Sequence, residues 1–136
     1  MSPRGSSPAT DCTPAEARAR RGQARAFIDV ADMVLSEPAT QAETHVAAAL
    51  AVLAAIAAAD AICGLQLGHY NRGQDHNRAA ALLETVDLPD RTLPAKLRRI
   101  LASKHDVHYS PNLVSKTDAQ ILVRQARTLV DAAERL

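Results

Sequence analysis

The side chains best suited to chemistry in this sequence are gathered in one segment, residues 98–109. It reads Arg-Arg-Ile-Leu-Ala-Ser-Lys-His-Asp-Val-His-Tyr and brings three cations, two imidazoles and a phenol to the end of a predicted helix. Guanidinium and ammonium groups bind phosphate or carboxylate, and an imidazole can act as a general acid or base near neutral pH. This basic segment is therefore the predicted site, for anion binding or for proton transfer.

Helical periodicity places the residues of the basic segment on different faces. Each residue advances by about 100° along a helix, so Lys104 and His108 share the apolar stripe. Arg98 and His105 lie together on its flank, whereas Arg99 points largely the other way. The flanking pair is the better candidate for acting jointly on one ligand.

A lysine and a histidine on an apolar stripe require a partner, because burying an unpaired charge is costly. Asp60, on the predicted central helix, is a candidate partner for either of them. Alternatively, Lys104 extends to solvent and His108 makes a structural hydrogen bond at the helix end. Both interpretations stay open on the sequence alone.

Neither a metal nor a cofactor is predicted. His105 and His108 are three residues apart, and Asp75 and His76 could join them, but no glutamate-rich ligand pattern accompanies them. The sequence contains no glycine-rich phosphate loop, no Gly-x-Ser-x-Gly elbow and no paired-cysteine motif.

Capping signals and apolar spacing predict an all-α fold, a compact antiparallel bundle of five helices with a long central second helix. Residues 1–12 are expected to form a disordered tail and residues 13–136 the bundle domain. A His-Tyr pair follows the second helix and another ends the fourth, and the two turns are either neighbours at one end of the bundle or a coincidence. The predicted helices are about 14–36, 41–67, 75–86, 93–106 and from 116 onward.

Charge is unevenly distributed although the net charge is only +1. Residues 1–26 carry +3, residues 27–90 carry −7 and residues 91–110 carry +4. Either oppositely charged helices pack against one another, or the second basic block forms a local anion-attracting patch. The apolar run Val46–Ala59 is shorter than the roughly 20 residues that span a bilayer, and no signal peptide is visible, so a cytoplasmic protein without a membrane partner is expected.

The helix order and the late Arg-x(4–6)-His motif resemble the HEPN domains of bacteria. The segments Ala59–Gly64, Gly73–His76 and Lys104–Tyr109 are most similar to the compact HEPN proteins of high-GC actinobacteria. The resemblance covers about residues 15–136 and rests on helix order and short motifs.

Catalytic HEPN domains are metal-independent ribonucleases that dimerise to bring two Arg/His sets into one cleft. The resemblance implies that His105 and His108 would serve as acid or base, and that Arg98 would stabilise the phosphorane charge. The remaining candidates, expected to contact a ligand, are Arg99, Lys104, Tyr109 and Asp60. This chain departs from the motif where His108 and Tyr109 follow one another without a spacer.

These departures favour a HEPN-like homodimer that binds nucleotide or RNA phosphates and is non-catalytic or weakly catalytic. One alternative is an active ribonuclease toxin of a toxin–antitoxin or defence system, with a nucleotidyltransferase-type partner protein. Another is a helical adaptor whose basic face docks on an acidic protein.

Overall fold

The computed structural model of the chain describes residues 9–73 and 75–136, with His76 described by its backbone alone. Residues 1–8, which belong to the tail predicted to be disordered, and Gln74 lie outside the described residues. Helices dominate the described chain, so the predicted all-α class is correct, although six helices replace five. The elements in chain order are β1 (Ala9–Asp11), α1 (Pro14–Ser36), α2 (Gln41–Leu67), β2 (His69–Asn71), α3 (His76–Glu84), α4 (Leu93–Ala102), α5 (Lys104–His108) and α6 (Lys116–Glu134).

The first two helices begin at the capping boxes that the sequence encodes. The Thr13 hydroxyl accepts a hydrogen bond from the Glu16 backbone N–H at 3.1 Å, and the Glu16 carboxylate accepts one from the Thr13 N–H at 2.9 Å. Thr40 and Glu43 repeat the arrangement at α2. Each box satisfies backbone donors that have no partner within the helix, which fixes where the helix starts.

The centre of the bundle is α2, as predicted, and its surface is made largely of alanine. Small side chains let neighbouring helices approach closely, and α1 and α6 pack against α2 on this basis. This helix is long and apolar enough to cross a membrane, but 67% of its most apolar window is buried inside the bundle, as in the core helix of a soluble protein. Its fully buried alanines are Ala47, Ala48, Ala51, Ala54, Ala55, Ala57, Ala58 and Ala61.

The prediction of disorder is wrong for residues 9–12. Strand β1 pairs antiparallel with β2, with Thr10 opposite Tyr70. The Cys12 side chain is buried, and the Cys12 backbone N–H donates to the Gly68 carbonyl at 2.9 Å. Strands of three residues are too short to show the alternation by which a strand is recognised in a sequence.

The predicted fourth helix is broken at Ser103 into α4 and α5. The Ser103 hydroxyl donates to the Ile100 carbonyl at 2.7 Å, and the Ser103 backbone N–H donates to the same carbonyl at 3.1 Å. These bonds close the last turn of α4 with the tighter spacing typical of helix ends. The basic segment therefore spans two helices, and the face assignment of one continuous helix does not extend past residue 102.

Candidate functional site

The break at Ser103 distributes the three cations of the basic segment among three environments. Arg98 lines a cavity between α3 and α4, whereas Arg99 lines a groove between α4, α5 and α6. Lys104 lines a third cavity, which contains Asp60. The three cations of the basic segment therefore line three different cavities.

Arg98 is engaged by an acidic neighbour on α3. Its guanidinium forms an ion pair with the Glu84 carboxylate, and both side chains are about half exposed. Arg20 and Arg25 of the first basic block are similarly paired, with Asp60 and with Asp131. For these arginines, the structure agrees with the interpretation that oppositely charged helices pack against one another.

Arg99 lines the α4–α6 groove, a cavity of about 510 Å³. Its floor is apolar and includes Val107 and Leu122, which are buried. Arg99 itself is exposed, and it makes no salt bridge within the described part of the chain. The polar lining groups are Ser103, Asp106, Ser110, Asn112, Ser115, Asp118 and Gln125.

One residue that lines the α4–α6 groove, Gln125, has an unused hydrogen-bonding capacity. The amide Oε1 of Gln125 is buried and accepts no hydrogen bond from the described residues. Such an atom costs free energy unless a ligand or a water supplies a donor. The groove therefore offers a cation for an anionic group, an apolar floor, and an unpartnered acceptor for a donor group.

The aromatic residues of the basic segment form a small cluster at its end. The His105 and Tyr109 rings lie with centroids 5.6 Å apart, and the His108 and Tyr109 centroids are 6.2 Å apart. His105 is exposed, and Tyr109 is 71% exposed. His105 is not among the residues that line the cavity of Arg98.

His108 is held in its neutral form more strongly than a free histidine. Burial, followed by the nearby positive charge of Lys104, lowers the pKa of the His108 imidazole below its ordinary value. Its Nε2 atom is buried and has no hydrogen-bond partner among the described residues. The structural hydrogen bond considered for His108 at the helix end is not formed by this atom.

His45 ties the end of the basic segment to α2. Its Nε2 lies 2.5 Å from the Val107 carbonyl oxygen, and its Nδ1 accepts from the Val114 backbone N–H at 2.9 Å. These two bonds require the neutral tautomer with the proton on Nε2. In the sequence, His45 is notable only as a polar exception on the apolar second helix. Its partners are not predicted, because they lie more than sixty residues away in the chain.

The two His-Tyr turns lie towards opposite ends of α2. His69 and Tyr70 follow the C-terminal end of α2, whereas His45, near its N-terminal end, bonds to the residue preceding His108. About 33 Å of helix separates His45 from Leu67. The two turns therefore do not form one cluster within the chain.

Asp60 is paired with Arg20, a partner that the sequence did not suggest. Arg20 donates to Asp60 Oδ2 from Nε at 3.2 Å, and its Nη2 lies 3.1 Å from the same oxygen. Burial raises the pKa of Asp60 to about 6, although Arg20 opposes the shift. Lys104 lines the same cavity as Asp60, but the predicted pairing between the two side chains is not among the described contacts.

Asp60 is expected to give the protein a measurable pH dependence of stability. Its folded-state pKa of about 6 exceeds the ordinary 3.8, so its contribution is fully present below pH 3.8 and is lost as the pH rises through about 6. We expect Asp60→Asn to gain about 1–3 kcal/mol of stability relative to the native chain between about pH 4 and pH 7.5. Urea unfolding across this pH range measures the difference in the free energy of unfolding between the variant and the native chain. His108 is present in both proteins, so its contribution cancels in this difference.

The matched control is Asp87→Asn. Asp87 pairs with Arg91 on the surface, where both side chains are largely exposed. Because an exposed ion pair contributes little, Asp87→Asn should change the free energy of unfolding by less than about 1 kcal/mol. A pH-independent difference for Asp60→Asn would contradict the assignment of the shift to this buried carboxyl.

No group of three or more potential metal-ligating His, Cys, Asp or Glu side chains occurs within residues 9–73 and 75–136. The cluster considered around His105 and His108 would include His76, whose side chain lies outside the described part. None of the protein-family models, curated proteins or solved structures compared with this chain matches it. The resemblance to HEPN domains therefore stays a prediction.

Proposed function

We propose that this protein binds a nucleotide, or the phosphates of RNA, in the α4–α6 groove and does not cleave it. The observation that supports the proposal is the combination of Arg99 with an apolar floor in one cavity of about 510 Å³. This volume lies within the range of about 300–1,000 Å³ that small-molecule sites occupy. The guanidinium binds a phosphate, and the apolar floor accepts the face of a base.

The other polar groups of the groove favour a ligand with one phosphate. Asp106 and Asp118 line the groove, and their negative charges oppose a second or third phosphate. The same carboxylates accept hydrogen bonds from ribose hydroxyls, and Gln125 Oε1 accepts one from an exocyclic amine of the base. A nucleoside monophosphate, or one nucleotide of a single strand, is therefore the preferred ligand over a nucleoside triphosphate.

The test compares two adjacent arginines. We expect Arg99→Glu to weaken the binding of AMP and of a single-stranded RNA oligonucleotide by about tenfold or more, because the phosphate loses its cation. Arg98→Glu should change the affinity by no more than about twofold, since Arg98 faces Glu84 in another cavity. Calorimetry with AMP and fluorescence anisotropy with the labelled oligonucleotide measure the two affinities.

Two outcomes would contradict the assignment of ligand binding to the α4–α6 groove. Equal losses from both substitutions would mean that diffuse surface charge, and not the α4–α6 groove, attracts the ligand. Binding of AMP that is undetectable with the native chain would remove the proposed function altogether. The double variant Arg98→Glu with Arg99→Glu should bind no more weakly than Arg99→Glu alone.

The ribonuclease alternative has its own readout. Incubation of total RNA with the native chain should leave the RNA intact, because Arg98 is bonded to Glu84 and His105 lies outside its cavity. Cleavage that is abolished by both Arg98→Ala and His105→Ala would establish the ribonuclease and overturn the non-catalytic proposal.

We further propose that the protein forms a homodimer in the cytoplasm. Exposed apolar side chains near the connection between α1 and α2 support this proposal. Met33 of α1 is 66% exposed and Val46 of α2 is 52% exposed, and the four-residue connection of residues 37–40 brings these helix ends together. Val30, one turn earlier on α1, is exposed as well. Contiguous exposed apolar side chains are typical of interaction surfaces.

Light scattering during gel filtration tests the dimer. We expect the native chain to elute as a dimer and Met33→Glu as a monomer, because a carboxylate in the interface would be buried without a partner. Gln66→Glu adds the same charge at the far end of α2 and should remain dimeric. A native chain that is monomeric at all concentrations would refute the proposal.

A further inference from the structure

A cavity of about 210 Å³ lies on another side of α4 from Arg99. Leu97 and Leu101 of α4 form one wall, and Ile56 of α2 forms the opposite wall. Residues 97 and 101 project from α4 about 160–200° away from residue 99, so this cavity is separate from the α4–α6 groove. Its volume is below the range of about 300–1,000 Å³ that holds drug-sized ligands, so its ligand must be small.

Two acceptor atoms at this cavity have no hydrogen-bond donor among the described residues. Both contacts from Arg20 go to Asp60 Oδ2, which leaves Asp60 Oδ1 without a bond from the guanidinium. Asn71 donates from Nδ2 to the Gly73 carbonyl at 3.3 Å, while its Oδ1 is buried and accepts nothing. Asn71 Oδ1 is a buried acceptor without a donor, and buried acceptors are almost always satisfied. Together with the second carboxylate oxygen of Asp60, which the guanidinium leaves free, it suits a ligand that carries several donors, such as an ammonium group.

Two cations line the same cavity. Lys104 is half buried and Arg72 is exposed, and neither forms a salt bridge within the described part of the chain. An ammonium or guanidinium next to an apolar wall is suited to a carboxylate. Acceptors and cations therefore occur together around one small, partly aliphatic space.

We propose that this cavity binds a small aliphatic α-amino acid. Asp60 and Asn71 receive the ammonium group, and the carboxylate pairs with the cations that line the cavity, Lys104 and Arg72. The aliphatic side chain lies against Ile56, Leu97 and Leu101. This site is independent of the nucleotide groove, because its polar residues belong to α2, α5 and the segment that follows α2.

The experiment compares a whole amino acid with its two halves. L-Valine, isobutylamine and isobutyrate are titrated into the native chain by calorimetry in mildly alkaline buffer, in which Asp60 is ionised. We expect valine to bind at least about tenfold more tightly than either half, because only valine engages both charged ends of the cavity. The variant Arg99→Glu should bind valine as the native chain does, which separates this site from the proposed nucleotide function.

Substitutions assign the two ends of the ligand. Lys104→Met keeps a side chain of similar length and removes its charge. The affinity for valine should therefore fall by about tenfold, and the affinity for isobutylamine should stay unchanged. Lys116→Met, at the exposed start of α6, is the control and should change neither affinity. Thermal melting of each variant confirms that it is folded.

The proposal is overturned if valine gives no heat of binding and no thermal shift up to about 10 mM. It is equally overturned if isobutyrate binds as tightly as valine, because the cavity would then be a simple anion site. Loss of valine binding in Lys116→Met would also count against it.

Discussion

Gly64→Ala is expected to destabilise the protein by about 2 kcal/mol, although alanine is the better helix former. A Cβ atom at residue 64 would lie 2.7 Å from Cys12 Sγ and 2.9 Å from Ala17 Cβ, both closer than real Cβ contacts. Glycine therefore allows α1 and the segment after β1 to lie directly on α2. Thermal unfolding should show a melting temperature lower by roughly 8 °C.

Gly22→Ala is the matched control, because Gly22 is also helical but nothing lies within 4 Å of its added Cβ. There the substitution should stabilise the protein by about 0.5–1 kcal/mol through helix propensity alone. Cys12→Ala in the Gly64→Ala background should recover part of the loss, because it removes the closer of the two contacts. A gain of stability in both glycine variants would contradict the prediction, because it would mean that the added Cβ at residue 64 meets no steric clash with Cys12 or Ala17.

His45→Ala is expected to lower the free energy of unfolding by about 3 kcal/mol and to detach the end of the basic segment from α2. The substitution leaves the Val107 carbonyl and the Val114 amide without their partner, and Val107 is buried. Both residues also line the α4–α6 groove, so AMP binding should be lost together with stability. Hydrogen exchange at the Val114 amide should accelerate roughly hundredfold.

His105→Ala provides the comparison for this loss. The His105 side chain is exposed, so its removal should change the free energy of unfolding by less than about 0.5 kcal/mol. A small effect at His45, equal to that at His105, would show that solvent replaces the His45 hydrogen bonds without cost. Arg99→Glu differs from both, because it should weaken AMP binding by about tenfold or more without loss of stability.

Local signals predicted the starts of α1 and α2 correctly, because each capping box depends on residues three apart. The hydrogen bonds of Thr13 with Glu16 and of Thr40 with Glu43 form within single turns, so the sequence contains all the information needed. Helix α2 was equally predictable, because its apolar residues surround the helix and leave only a central position for it.

Distant contacts were not predictable from the sequence. The chain turns after Ser103 so that Val107 reaches His45, and no periodicity within residues 93–108 reports on that partner. Likewise, Arg98 seemed available to His105 until the fold placed Glu84 beside it. A single sequence shows which residues could carry chemistry, but it does not show which of them are already engaged by another helix.

The alanine surface of α2 restricts how this sequence can change over time. At a fully buried position such as Ala51 or Ala58, a larger residue would push neighbouring helices apart. The loss of stability would be about 1–3 kcal/mol. A glycine there would cost about 1 kcal/mol in helix propensity. Both larger and smaller residues are thus destabilising at these positions. We therefore expect amino-acid substitutions to accumulate slowly along α2 and faster on the exposed faces of α3 and α6.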